Sequence, residues 1–248
     1  MGMGPATCRL STAVLAFTVG ASVGASAQSA STLRADVVRA LARERDLGKI
    51  EVAVEEGRIV LRGELPTLWV KTQAIARALK VAGVKEVASE LTVAKGENDN
   101  EVAARVANVI RTYEHYTIWD DLRGGVRNGV VTLRGNVTSF PDKSRDLTER
   151  ISKVRGVQEL KNELVVLNPS RSDDELRARL AQRIFSHPSF EPLAGAPNPP
   201  FHIIVDKSVV TLTGFVQSRI ELMEISNLVA HTEGILRVDN QLQTSIKR

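Results

Sequence analysis

Side chains that commonly carry catalysis or bind metals are few and scattered along this chain of 248 residues. Its one cysteine, Cys8, stands near the beginning, and its four histidines follow no metal-binding spacing. They are His115, His187, His202 and His231. The chain also lacks the GxxxxGK[ST], HExxH and CxxC motifs. We therefore predict a protein that is not an enzyme and that holds no cofactor and no metal.

Two local patterns resemble chemical sites but have simpler interpretations. "GASVG" at residues 20–24 matches the GxSxG nucleophile motif, yet no strand, turn and helix surround it. The one local cluster of titratable residues would have to converge across a loop and a strand to form a site, and charged residues at such positions are usually solvated. It comprises Glu114, His115, Asp120 and Asp121. We expect neither pattern to be an active site.

The composition favours a folded protein without a nucleic-acid partner. The chain is 43% hydrophobic and 25% charged, as in ordinary globular domains. Aromatic residues make up only 4%, which is few for a protein that binds single-stranded nucleic acid by stacking aromatic rings on its bases. The 33 basic and 29 acidic residues nearly balance, so any electrostatic partner must be bound by a local surface.

Residues 1–27 have the pattern of a secretory signal peptide. Arg9 precedes an apolar stretch over residues 10–23, and small residues follow it, ending in Ala-Ser-Ala. We predict cleavage before Gln28, which leaves a mature chain with no cysteine and no disulfide. Cys8 precedes the apolar stretch, whereas a lipid-anchoring cysteine would follow it, so the sequence predicts no lipid anchor.

The remaining sequence repeats one pattern three times. The segments "GRIVLRGEL", "GVVTLRGNV" and "SVVTLTGFV" align without a gap, and a second glycine follows the first after 20, 21 and 20 residues. The paired glycines are Gly63 and Gly83, Gly135 and Gly156, and Gly214 and Gly234. The spacing between repeats is too long for a solenoid and fits small tandem domains. The predicted domains are unit 1 (residues 33–95), unit 2 (101–167) and unit 3 (172–246, with a Pro-rich insertion at 187–200).

Each unit is predicted to be an α+β domain with the order helix, strand, strand, helix, strand. Apolar residues at helical spacing mark the helices, and capping boxes at Ser172–Glu175 and Ser218–Glu221 mark the beginnings of two of them. Turn residues such as Asn128–Gly129 join the first two strands as an antiparallel hairpin. The second and third strands can lie parallel, giving a three-stranded mixed sheet covered on one face by two helices. The first glycine of each pair is expected to end a strand and the second to terminate a helix, both as structural residues.

These repeated features resemble the BON domain, a family named from bacterial osmotically inducible and nodulation proteins. The resemblance rests on the paired glycines, the "VTL.G.V" strand and the final "GV..V.N.L" strand, and it covers nearly all of the chain after residue 32. Unit 1 departs most, with Ser89 where the others have Asn162 and Asn240. The resemblance implies a periplasmic, non-catalytic module associated with envelope or osmotic stress, phospholipid surfaces or unfolded outer-membrane proteins.

Basic residues near two tryptophans suggest how such a module would bind an anionic membrane surface or an envelope protein. Helical spacing places four of these cations opposite the apolar stripes of unit 1, and tryptophan beside basic residues suits the membrane interface. The candidate residues are Arg39, Arg43, Trp69, Lys71, Arg77, Lys80, Trp119, Arg123 and Arg127. The competing interpretation is that both tryptophans cap their own cores, because large aromatic side chains are mostly buried. If each cation contributes ~1 kcal/mol, three or four give about 3–4 kcal/mol per unit, a weak contact that tandem units would strengthen.

The alternative function is a chaperone or adaptor that takes up extended chains on the uncovered sheet face or at a sheet edge. The outward residues of that face are predicted to be polar and solvated, which disfavours broad hydrophobic capture. They are Glu51, Ala53 and Glu55 in unit 1, Thr132 and Arg134 in unit 2, and Thr211 and Thr213 in unit 3. Pairing at a sheet edge, or a contact specific to one partner, stays open.

Overall fold

The computed structural model describes residues 22–44, 47, 49–96, 98–196 and 198–245, in which the predicted order of elements occurs three times. Unit 1 contains α1 (Ser22–Leu41), β1 (Glu51–Glu55), β2 (Arg58–Leu65), α2 (Leu68–Leu79) and β3 (Val87–Val93). Unit 2 contains α3 (Asp99–Arg111), β4 (Asp121–Arg127), β5 (Val130–Thr138), α4 (Lys143–Ser152) and β6 (Glu159–Leu167). Unit 3 contains α5 (Arg171–Phe185), a short 3-10 helix (Glu191–Leu193), β7 (Phe201–Asp206), β8 (Val209–Val216), α6 (Arg219–Ala230), β9 (Arg237–Asn240) and β10 (Gln243–Thr244).

The sheets have the predicted topology. In units 1 and 2 the middle strand pairs antiparallel with the first strand and parallel with the third. Unit 3 repeats this arrangement, except that β9 and β10 both pair with β8 in place of one continuous third strand. The α+β class with three tandem small domains is therefore confirmed.

Both helices of each unit pack on one face of its sheet. In unit 1, Val37 and Leu41 of α1 and Ala74 of α2 join Ile59 and Leu61 of β2 in the core. The helical spacing seen in the sequence therefore produces the buried stripes. Units 2 and 3 have corresponding cores, with Val106, Leu133 and Ile151 in one and Leu180, Leu212 and Ile225 in the other.

In the hairpin turns of units 2 and 3, an aspartate from the first helix of the unit holds the turn. Both central residues of each turn have positive φ, at Asn128–Gly129 and at Lys207–Ser208. Lysine and serine are poorly suited to this conformation. The Asp173 carboxylate accepts hydrogen bonds from the Lys207 and Ser208 N–H groups, at 2.9 and 2.8 Å. Asp99 accepts the same two bonds from Asn128 and Gly129, at 2.6 and 2.9 Å, so the aspartate supports the turn whatever its sequence.

One of the two predicted capping boxes is wrong. Ser218 Oγ accepts from the Glu221 N–H at 3.1 Å, as predicted for α6. At α5, however, the cap is Ser170, which accepts from the Asp173 N–H, and Ser172 lies inside the helix. The helix begins earlier because Ser170 supplies a better-placed oxygen, which leaves the Asp173 carboxylate free to hold the hairpin turn.

The glycine predictions also need correction. Gly63, Gly135 and Gly214 lie inside strands, not at their ends, and have φ of +141°, +116° and +98°. A Cβ built on Gly135 would lie 1.8 Å from the Asp121 carbonyl oxygen, so glycine is needed for the close approach of β4. The second glycines, at Gly83, Gly156 and Gly234, have φ near +90°. They come three residues after the caps at Lys80, Lys153 and His231, so they belong to the following turn and not to the helix terminus.

Two predicted loops prove to be partly ordered. The linker expected over residues 96–100 already contains the start of α3, with Asn98 as its cap. In the insertion at 187–200, Phe190 is buried in the core of unit 3 and its ring meets that of Phe201 edge-on at 5.9 Å. The insertion therefore completes a core as well as forming a surface loop.

The predicted signal peptide lies mostly outside the described residues, since the description begins at Ser22. From there α1 is continuous through the predicted cleavage point before Gln28. Across the described residues, every helix is too short or too polar to span a bilayer.

Candidate functional site

Trp69 lies at the first junction, the contact between units 1 and 2. It is half-buried near the beginning of α2, and the Lys153 ammonium at the end of α4 stands 4.7 Å from its ring centre. Leu68 packs against the core of unit 2, and Gln158 Nε2 donates to the Ala94 carbonyl at 3.0 Å. Trp69 thus makes a cation–π contact with the neighbouring unit, a different role from the membrane anchor suggested by the sequence.

Trp119 lies at the second junction, the contact between units 2 and 3. Ile118 is buried in the core of unit 3 and Trp119 packs against the same core. The Ile203 N–H of β7 donates to the Ile118 carbonyl at 2.7 Å. Residues 116–119 of unit 2 therefore lie along the edge of the unit 3 sheet, and Trp119 is placed against that unit.

A buried ion pair holds the turn that presents Ile118. The Lys143 ammonium lies 2.9 and 2.6 Å from the two carboxylate oxygens of Asp120, and both side chains are almost fully buried. The carboxylate also accepts from the N–H groups of Thr117 and Thr138, each at 2.9 Å. Every oxygen of Asp120 is thus satisfied, so this group positions the junction.

The second junction also contains a stacked tyrosine and histidine. The rings of Tyr116 and His202 stack with centres 5.3 Å apart, and Tyr116 Oη lies 3.0 Å from His202 Nε2. Burial lowers the pKa of His202, against the opposing influence of Asp121 and Asp120, and burial raises the pKa of Tyr116 to about 12. Both side chains are therefore neutral at neutral pH.

This junction changes the predicted open face of unit 3. Thr213, expected to be solvated, is only 5% exposed, and its register partner is the stacked His202. The outward Ile204 is also buried. The alternating pattern correctly placed these residues on the outer face, but their exposure depends on the neighbouring unit, which the pattern does not describe.

The helical cations predicted in unit 1 are partly neutralised. Arg39 forms an ion pair with Asp36 at 2.8 Å, and Arg77 forms one with Glu44. Arg43 and Lys80 are exposed. Lys71, in the first turn of α2, is half-buried. The outward face of the helices therefore offers less free positive charge than the sequence pattern suggests.

The predicted Arg123 and Arg127 instead belong to a second cationic surface, on the uncovered sheet face of unit 2. Arg123 stands directly opposite Arg134, and Gly125 stands opposite Thr132. With Arg127 they line a depression of about 450 Å³, which we call the arginine groove. Among the described residues other than its two chain neighbours, none has a heavy atom within 4 Å of the position that a Cβ on Gly125 would take, so the floor of the groove is open.

Two of the three arginines have acidic neighbours. Arg123 Nε donates to Asp121 at 3.1 Å, and this hydrogen bond raises the pKa of the guanidinium. Arg134 Nε donates to Glu163 at 2.7 Å. For Arg127, no carboxylate of the described residues lies within 4 Å. Asp121 and Glu163 thus offset part of the repulsion between Arg123 and Arg134, whose like charges stand directly opposite each other in the sheet.

Sequence reasoning missed the part that Arg134 plays. The sequence pattern placed Arg134 among the outward residues of the unit 2 sheet, where it indicated only that the uncovered face is polar. Its partnership with Arg123 depends on the register of the hairpin, which the turn at Asn128–Gly129 sets. Counting along both strands from that turn could have found the pair.

The acidic and histidine cluster around residue 114 does not form one site. Glu114 pairs with Arg150 at 3.0 Å, Asp120 with Lys143, and Asp121 with Arg123. His115 Nε2 lies 3.8 Å from Glu114. Within the described ranges, no three His, Cys, Asp or Glu side chains stand close enough together to hold a metal ion.

Comparison with known proteins gives a family and one curated relative. The chain matches the BON domain family three times, over residues 29–95, 98–168 and 172–245. It is 32% identical over 117 residues to the outer membrane lipoprotein DolP of Haemophilus influenzae. That match covers 44% of this chain and 60% of the relative, so the chain spans less than two thirds of the relative's length.

Solved structures give weaker likenesses. The C-terminal domain of CdsD, a structural protein of the type III secretion system of Chlamydia trachomatis, is 13% identical, with a TM-score of 0.24 over 85% of this chain and 96% of that one. The periplasmic domain of the S. typhimurium inner membrane protein PrgH is 12% identical, with a TM-score of 0.21 over 79% of this chain and 99% of that one. TM-scores this low support no inference about the fold or the function of this chain.

The lipoprotein relative overturns one prediction. The signal peptide and the family resemblance predicted a periplasmic protein, and the position of Cys8 predicted no lipid anchor, whereas DolP is a lipoprotein of the outer membrane, as its name states. The prediction is wrong, because a single cysteine placed relative to an apolar stretch is weak evidence on anchoring. The three matches cover most of the sequence, and the chain belongs to the BON domain family.

Proposed function

We propose that this protein binds anionic phospholipid surfaces and that the arginine groove of unit 2 contacts the lipid phosphates. The observation that carries the proposal is the convergence of Arg123, Arg127 and Arg134 on one open sheet face. Arginine guanidinium groups donate paired hydrogen bonds to phosphate oxygens, and the open floor at Gly125 leaves room for a headgroup. The relative in the outer membrane supports a membrane as the partner.

The expected affinity of the groove is modest. At ~1 kcal/mol for each cation near an anionic membrane, three arginines supply about 3 kcal/mol. Exposed Arg43 and Lys80 of unit 1 would add to this if both surfaces can reach the same membrane. The contact is electrostatic, so it should weaken steeply as salt shortens the Debye length below ~10 Å.

Vesicle co-sedimentation tests the proposal. We expect the full chain to bind vesicles containing phosphatidylglycerol but not pure phosphatidylcholine, and to be released by salt. The double variant Arg127→Glu with Arg134→Glu should lose about 2–3 kcal/mol of binding, some 30- to 150-fold, through removal of attraction and addition of repulsion.

The matched control is Arg171→Glu with Arg237→Glu, which changes the net charge equally on exposed residues of unit 3. It should bind nearly as well as the unaltered protein. Unchanged binding by the groove variant would exclude the groove. Loss of binding on reversal of Arg43 and Lys80 alone would move the lipid contact to the helices of unit 1.

A further inference from the structure

Unit 3 carries a helix surface that matches the one used at the first junction. The paired glycines of units 1 and 3 have the same 20-residue spacing, so residues of α2 and α6 correspond without a gap. Six residues after the first glycine stand Trp69 in unit 1 and Ile220 in unit 3. Trp69 contacts unit 2, whereas the Ile220 side chain is 69% exposed.

The exposed apolar surface continues along α6. Met223, one turn after Ile220, is 70% exposed, and Asn227 and Ala230 follow on the same side. We call these four residues the α6 surface. Large apolar side chains exposed side by side on a helix are typical of a contact surface.

Unit 1 also has an exposed surface that corresponds to the surface of unit 2 contacted by Trp69. In unit 2, Trp69 is met by Lys153, three residues before Gly156. The corresponding residues of unit 1 are Lys80 and Gly83. Lys80 is exposed, and the neighbouring Leu79 is 49% exposed, whereas its counterpart Ser152 is buried. Unit 1 therefore presents an apolar and cationic patch, the Leu79 patch, comprising Leu79, Lys80, Gly83 and Lys85.

We propose that the α6 surface of one copy docks on the Leu79 patch of a second copy, repeating between chains the arrangement of α2 on unit 2. The charges are complementary. Glu221 and Glu224 flank the α6 surface beside one cation, Arg219, while the Leu79 patch carries Lys80 and Lys85 beside one acid, Glu86.

This contact uses two different surfaces, so copies join head to tail and assemble into a ring or a filament, not a two-fold dimer. In this contact Ile220 takes the place that Trp69 has at the first junction. Its side chain packs on Leu79 and on the methylene chain of Lys80.

Sedimentation velocity of the full chain over a range of concentrations tests the assembly. We expect the unaltered protein to form species larger than a dimer as concentration rises. Ile220→Asp and Leu79→Asp each place a charge in the apolar contact, and each alone should weaken association at least tenfold. Both residues are exposed, so the melting temperature should change little.

Mixing the two variants distinguishes head-to-tail docking from symmetric pairing of α6. The Ile220→Asp copy retains a Leu79 patch and the Leu79→Asp copy retains an α6 surface. An equimolar mixture should therefore form a dimer and stop there, although each variant alone stays monomeric.

The control variant is Leu236→Asp, which changes another exposed apolar residue of unit 3 that is 80% exposed. It should associate like the unaltered protein. A chain that stays monomeric up to its solubility limit would overturn the proposal. So would dimerisation of Leu79→Asp alone, or an Ile220→Asp variant that assembles normally and loses only vesicle binding.

Discussion

The first and second junctions join units of one fold by different means. At the first, side chains at the ends of helices meet, with Lys153 over Trp69, and the backbones of Lys95 and Gly156 form one isolated parallel bridge. At the second, a stretch of unit 2 pairs with the edge of β7 and buries Ile118 in the core of unit 3. The second contact therefore places a buried side chain of one unit inside the core of the next.

The difference lies outside the repeated pattern. The residues of the second junction come from the segment between α3 and β4, which is held by Asp120 and Lys143. The first junction uses the beginning of α2 and the end of α4, positions present in every unit. A repeated fold thus supplies one reusable contact, and a local variation between two elements adds a second, different one.

The largest expected effect is on the support of the second junction. Asp120→Ala leaves the Lys143 ammonium buried without its partner, and we expect a loss of about 3–5 kcal/mol of stability in urea unfolding. Protease cleavage of the peptide bond that follows Glu114 should become faster, because the turn that contains Ile118 is no longer held by the ion pair.

The matched control replaces both charges, with Asp120→Asn and Lys143→Met together, so that the amide oxygen still accepts from the Thr117 or Thr138 N–H. Removing the pair leaves no isolated charge, so much of the stability should return. A single-variant loss below ~1 kcal/mol, the range of exposed pairs, would contradict the buried network.

A smaller effect is expected from pH at the same junction. Burial lowers the pKa of His202 in the folded protein, so the unfolded chain binds the proton more readily. Stability contributed by neutral His202 is present above the ordinary pKa of 6.5 and is lost as the pH falls below it. Urea midpoints measured from pH 7.5 to 5 should show the decline.

His202→Phe keeps a ring against Tyr116 but takes up no proton, and its stability should depend less on pH over that range. The charged groups near His202 are Asp120, Asp121 and Arg123, so Tyr116→Phe, which leaves all of them in place, should keep the decline. Equal pH dependence in His202→Phe and the unaltered protein would assign the titration to another group.

The smallest expected effect belongs to the first junction. Lys153→Met removes the cation over Trp69 while keeping a long apolar side chain, and we expect a loss of ~0.5–1 kcal/mol. Calorimetry should show it against Lys161→Met, an exposed lysine of β6 that should be nearly neutral. A loss as large as that of Asp120→Ala would mean that the two junctions contribute alike.

Much of the fold could be predicted from the sequence, and less of the candidate site. The paired glycines and the helical spacing of Val37 and Leu41 correctly predicted the units, because burial of one face imposes those periods. Arg123 and Arg127 were found as candidates, but Arg134 joined them only through the register of β4 and β5. The helical cations Arg39 and Arg77 proved to be paired with acids that lie on the same surface.

By itself the sequence determined the repeated unit, because alternation and helical spacing are local consequences of which side chains must leave water. Only the tertiary structure decided where the tryptophans lie and which faces stay open. The sequence offered a membrane interface or their own cores for Trp69 and Trp119, yet each packs against a neighbouring unit whose contacting residues are distant along the chain. Contacts between units depend on the shape and charge of two folded surfaces. The strand alternation and helical spacing within one segment of sequence do not encode how two such surfaces fit together.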